Sequence, residues 1–163
     1  MGKIRYTKQP DNYGCGPIAI LNALKWAGKR ATLATHYKAL VRRCKSKDPD
    51  GHEFNGTTAQ NFQDTLKYVS QKSFTVEKVH QPGINRIRKE LSKDKAVALL
   101  HLNPDGTSHY TLIIGLHGKE AFLAVNAFED TSTVTVISKK IMKFWTVKRK
   151  YLPMAWILTK ASV

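Results

Sequence analysis

The run GPIAILNALKWAG, residues 16 to 28, is the most constraining feature of this chain. Ile18, Ala19, Ile20, Leu21, Ala23, Leu24 and Trp26 spread over nearly every face of the helix they would form. A helix apolar all round belongs in the interior, so this one is expected at the centre of the fold. Pro17 sits just inside its start, where a missing N–H costs nothing, and Gly28 closes it. Immediately before it stands Cys15, one of only two cysteines, held between Gly14 and Gly16.

A second helix is expected from about Leu33 to Lys45, with Leu33, Tyr37, Leu40, Val41 and Cys44 along one face. Cys44 reads as a small core hydrophobe. The stretch KSKDPDGHEFNG, 45 to 56, is a loop by its Pro, Gly and Asp content. Thr57 and Gln60 form a capping box opening a third helix, with Phe62, Leu66 and Val69 on its buried side. From there the period changes. Strands are expected at 74–79, 96–102, 108–116, 120–128, 133–138 and 151–159. A short amphipathic helix at 84–94 and a helical turn at 139–145 interrupt them. Pro153 puts the last strand at an edge or a bulge. Helices first and antiparallel strands afterwards argue an α+β fold, helices packed on a sheet, in one domain spanning residues 1–163.

The 163 residues are enough to bury a real core, and 42% apolar with 24% charged residues is ordinary for a soluble protein. The sequence shows no apolar run of the ~18 residues a membrane span needs, and no signal peptide, so a cytoplasmic location is expected. There a structural disulfide between Cys15 and Cys44 is not expected. A zinc site lacks a second Cys-x-x-Cys or His pair, and no cofactor or metal is expected.

The net charge is +15, unevenly placed. Residues 1–47 carry eleven Lys or Arg against the single acid Asp11, and residues 131–163 carry seven against none. Such a field favours anionic partners: nucleic acid, anionic lipid or an acidic protein. A solvated basic surface without a partner is the plain alternative.

Cys15 at a helix entry meets unpaired backbone N–H groups and the positive end of the helix dipole. A thiol so placed can fall from about 8.5 into the range of roughly 3.5–7.5, especially beside an imidazolium. Gln9, six residues upstream, can return over the helix start and offer its amide to an oxyanion. A nucleophilic cysteine also needs a base, and the base an orienting partner. Of the six histidines, His36 lies on a basic helix, while His52, His80 and His117 fall in connections. His101 and His109 are in strands, and His109 opens the strongly apolar SHYTLIIG. In the hairpin 108–116/120–128, Asn126 interrupts FLAVNAF and should lie beside His109. Two alternatives stand next to this: Asn126 simply ends its strand, or Asp130 orients the imidazole.

QPDNYGCGPIAILNAL, SHYTLIIG and VNAF together resemble the papain-like cysteine peptidases of the double-glycine, bacteriocin-leader-processing type. That family has a glutamine six before the cysteine and a Cys-Gly at the start of the central helix. It also has a His-Tyr or His-Trp strand, then an Asp or Asn about one strand later. NGTT at the third helix fits its relatives, and the resemblance spans roughly residues 9 to 130. It implies Cys15 as nucleophile and His109 as the general base that later protonates the leaving amine. Asn126 would orient the imidazole, and Gln9 with the Cys15 N–H would form the oxyanion hole. Many relatives continue the last motif as Asp-Pro, where this chain has Asn126-Ala127. Transporter-fused members process leader peptides during export. This sequence shows no membrane or ATPase segment, so that substrate is not assumed. The expected substrate is a peptide or protein, acidic ones included, cleaved at a peptide or isopeptide bond.

The competing reading is a catalytically silent scaffold holding nucleic acid or an acidic protein. KKIMKFWTVKRK, 139–150, supports it by mixing cations with Phe144 and Trp145, which can stack on bases. The same two aromatics packed into the core would remove that support.

Overall fold

A computed structural model describes residues 3–11, 13–46, 56–127 and 134–162. His52 and Asp130, both weighed above, lie outside the described residues.

The all-round apolar run forms α1 (Cys15–Trp26), in which every residue except Lys25 is buried. A single π turn, Leu33–Tyr37, capped by the Thr32 hydroxyl on Thr35 N–H, leads into α2 (Lys38–Cys44). The expected second helix is thus two pieces, and only Leu40 and Cys44 of its proposed face are buried. Leu33 is exposed because the π turn rotates it out of the α-helical stripe. The third helix, α3 (Ala59–Ser70), buries Phe62 and Leu66 as its pattern requires, while Val69 is only half-buried against them. Its cap is Thr58, which accepts from Asn61 N–H, and not Thr57. Thr57 instead turns inward and shares a hydrogen bond with Ser46, 2.7 Å, while Gln60 bonds Asp64 one turn on.

The strands are β1 (Phe74–His80), β2 (Lys95–Leu102), β3 (Ser108–His117), β4 (Ala121–Val125), β5 (Val134–Ile137) and β6 (Met154–Lys160). They form one antiparallel sheet in the order β1-β6-β2-β3-β4-β5. The last strand is therefore interior, paired on both sides without a bulge, and not at an edge. Pro153 precedes β6, so no ladder N–H is missing, and its carbonyl accepts from Gln81 N–H. The irregularity sits instead between β3 and β4, at Ile113/Gly115.

Alternation along the strands gives the sheet two buried faces. Ala98, Leu100, Tyr110, Leu112 and Trp156 meet α1, α2 and α3, with the Phe62 and Tyr110 rings stacked at 4.3 Å. Val97, Leu99, Ile113 and Phe122 meet α4 (Ile84–Glu90) and α5 (Lys139–Trp145) on the other side. The α4 helix is shorter than the period suggested, ending before Leu91 turns extended. This is the expected α+β arrangement, with a second helical layer added.

Candidate active site

The start of α1 is assembled by Asp11, whose role the sequence reading missed. Its carboxylate accepts from Gly14 N–H at 2.7 Å and Tyr13 N–H at 3.2 Å, and from the Tyr37 hydroxyl at 2.6 Å. It thus satisfies amides that Gly14, with no side chain, leaves open. An aspartate three residues before a glycine at a helix entry was the available signal. Burial and the Asp11 bond raise the Tyr37 hydroxyl well above its usual range, so it stays a donor.

The two glycines around Cys15 are required by space. A Cβ on Gly14 would lie 1.9 Å from the Tyr37 hydroxyl and 2.7 Å from the Asp11 carboxylate. On Gly16 it would lie 2.4 Å from Thr57 Oγ1 and 2.7 Å from Thr57 Cβ. The second clash involves an atom fixed to the main chain and cannot be relieved by a rotamer change. Gly16→Ala is expected to destabilise the fold by about 2 kcal/mol or more, read from urea unfolding. A midpoint equal to wild type would show that the Thr57 segment yields freely.

Cys15 is 9% exposed, and its thiol lies within reach of the backbone N–H groups of Tyr110, Gly16 and Cys15 itself. Burial pushes the thiol up from its ordinary value, those three amides pull it down, and the Asp11 charge adds to the rise. Burial wins. The depression expected from the helix start is reversed in the resting state, because desolvation of a thiolate outweighs the amides. Cys44, fully buried and bonded to Thr65 and Thr57, is pushed to about 11, as a core thiol should be. Both cysteines are free thiols.

His109, at the start of β3, is joined to Asn126 by a 2.7 Å bond from Nε2 to the main-chain carbonyl. A carbonyl only accepts, so Nε2 carries the proton and Nδ1 is the nitrogen able to take another. The two residues meet as the hairpin reading required, but through the Asn126 main chain. Asn126 has φ +56, a left-handed conformation that asparagine tolerates, and this turns its carbonyl and carboxamide to different partners. The carboxamide holds Gln9: Nδ2 donates to Gln9 Oε1 at 3.0 Å, and Oδ1 accepts from Gln9 N–H at 3.4 Å. One amide hydrogen of Gln9 is in turn given to the Asp11 carbonyl. Gln9, Asn126 and His109 thus form one bonded chain. The Cys15 thiol is not part of that chain; it reaches the N–H of Tyr110, the residue after His109 in β3.

Glycine accepts φ +56 and keeps the carbonyl. Asn126→Gly should leave the Nε2–H tautomer of His109 in place, as read from imidazole nitrogen chemical shifts. A change of tautomer would assign the orientation to the carboxamide.

Behind His109 lies His101, its partner across β2 and β3, with ring centroids 5.8 Å apart. His101 is fully buried, bonds Thr111 Oγ1 at 2.8 Å and stacks on Trp145 at 3.9 Å. Burial, then the His109 charge, lowers it to about 3, so it is neutral. Trp145 is 1% exposed, so it is core and cannot stack on a base, contrary to the aromatic-basic reading of 139–150. Phe144 is 37% exposed, with the Arg149 guanidinium 4.9 Å over its ring.

Among the described residues no group of three or more metal-ligating side chains gathers, and no helix is long and apolar enough to cross a membrane.

Comparisons of sequence with known families and with curated proteins match nothing to this chain. Comparison of structure does. The peptidase domain of Streptococcus mutans ComA has a similar fold, with TM-score 0.56 and 15% identity, over 94% of this chain and 98% of that domain. The chain has an α+β papain-like fold.

Proposed function

We propose that this chain is a papain-like cysteine peptidase of the double-glycine peptidase type, hydrolysing a peptide or isopeptide bond. The observation that carries the proposal is the His109 Nε2–Asn126 carbonyl bond, because it leaves Nδ1 as the basic nitrogen next to the strand residue that reaches Cys15.

Cys15 is the nucleophile. Its thiol is raised at rest, so the thiolate forms as the proton passes from Sγ to His109 Nδ1. Sγ attacks the carbonyl carbon and the carbonyl π pair moves onto oxygen. That oxyanion is met by the Cys15 N–H and by the Gln9 amide hydrogen not held by Asp11. Collapse breaks the C–N bond, and the imidazolium returns its proton to the leaving amine. Water, deprotonated by His109, then cleaves the thioester and restores the thiol. Asn126 serves twice, its carbonyl stabilising the imidazolium and its carboxamide fixing Gln9. The substrate is a peptide or protein, with acidic stretches favoured by the +15 charge.

The test is to incubate the protein with a cell lysate and with peptidyl electrophiles carrying a C-terminal Gly-Gly, then digest and search for Cys15 adducts by mass spectrometry. Acyl or alkyl adducts on Cys15, and none on Cys44, are expected. Equal modification of both cysteines, at the rate of an unfolded control, would sink the proposal.

A further inference from the structure

A second recess opens away from Cys15, where the C-terminal ends of α1 and α3 meet α2. It encloses about 600 Å³, within the roughly 300–1,000 Å³ of small-molecule sites. Leu24, on its floor, is nine residues along α1 from Cys15, about 13 Å of helical rise. The floor is apolar, with Leu40 and Val69 beside Leu24. The rim carries Lys29, Arg30, Arg43 and Lys72, and no carboxylate lines it among the described residues. None of these four cations is in an ion pair among the described residues. His36 adds a donor: its Nδ1 accepts from Thr32 N–H at 3.2 Å, which places the proton of the neutral ring on Nε2.

Basic residues at helix C-termini often do no more than offset the helix dipole. Each helix end carries about −0.5 charge, so the α1, α2 and α3 ends together account for about one and a half of the four cations. The α1 end is moreover closed by its own amides, Gly28 N–H to Lys25 and Lys29 N–H to Leu24. Most of the positive charge therefore faces the recess without a fixed anion. The Arg43 guanidinium carbon lies over the exposed Tyr68 ring, 3.3 Å from its centroid, and the pair lines the recess as an aromatic-cationic shelf.

We propose that this recess is a nucleotide site, its cations taking the phosphate oxygens and the Arg43–Tyr68 shelf with the apolar floor taking the base. Inorganic phosphate would answer the charge but leave the floor and most of the volume empty. A fatty acid would fill the floor but answer one charge of four. A nucleotide meets both requirements, whether free or as one unit of a single strand. The inference does not rest on the thiol chemistry.

Titration calorimetry of the full chain at about 0.15 M salt tests it, with ADP, adenosine, pyrophosphate and a ten-nucleotide oligodeoxyadenylate as ligands. ADP or the oligonucleotide is expected to bind at least about tenfold more tightly than adenosine or pyrophosphate. Arg43→Gln and Lys72→Gln should each weaken that binding about tenfold, with melting temperature and Cys15 labelling unchanged. Binding of both, with ADP displacing the oligonucleotide, assigns a strand site. Binding of ADP alone assigns a free nucleotide, and of the oligonucleotide alone a site that needs flanking phosphates. Pyrophosphate as tight as ADP and the oligonucleotide, no binding of either below about 1 mM, or binding indifferent to both substitutions overturns it.

Discussion

Cys15→Ala is expected to remove peptide hydrolysis, with a loss on the order of 10⁴–10⁶ in kcat, because the acyl acceptor itself is gone. His109→Ala should lose nearly as much, since the buried thiol then has no base. The double variant should be no worse than either single one, as groups acting in one step are not additive. The pH dependence separates chemistry from structure. With His109 gone, alkylation of Cys15 should rise only as pH passes above the ordinary thiol range, since burial sets the thiol high. Rapid alkylation of His109→Ala near pH 6 would mean that the helix start alone makes the thiolate. Unchanged turnover in Cys15→Ala would move the reaction elsewhere in the chain.

The second large effect is on stability in acid. His101 titrates at about 3 when folded and 6.5 when exposed, mainly because burial excludes its charged form. A depressed histidine binds its proton more readily in the unfolded chain. Its contribution is therefore fully present above pH 6.5 and is lost as pH falls towards 3. At pH 5 the loss is about 2 kcal/mol, roughly 30-fold in the unfolding constant. Urea unfolding at pH 7 and pH 5 should show this, and His101→Gln, which keeps a polar partner for Thr111, should largely abolish it. If wild type and His101→Gln lose equal stability between the two pH values, the acid sensitivity lies in other groups.

Much of this was legible because the governing forces are local. The α1 helix follows from an apolar residue at almost every position, and the strands follow from alternation. The adjacency of His109 and Asn126 follows from a short hairpin. What stayed hidden depended on three-dimensional surroundings. Pro153 suggested an edge because a proline inside a strand loses a ladder bond, yet it falls just before the strand and costs nothing. Thr57 and Thr58 are chemically equivalent in the sequence, and only packing decides that Thr57 faces Ser46 while Thr58 caps. The helix-start argument lowered the Cys15 thiol because it could not weigh burial. Asn126 carries an anonymous contribution, since every residue has a carbonyl. What singles it out is a left-handed φ that asparagine tolerates.

The interior position of β6 also sets a timetable. β1 and β2 follow each other along the chain, yet each pairs with β6, whose residues come from 154 to 160. During synthesis β1 therefore has no permanent neighbour until those residues have emerged. The elements holding Cys15 and His109 are made before β6 can join β1 to β2. The nascent chain can pair β2 to β5, which carry His109, before β6 emerges, and it joins β1 to that sheet last.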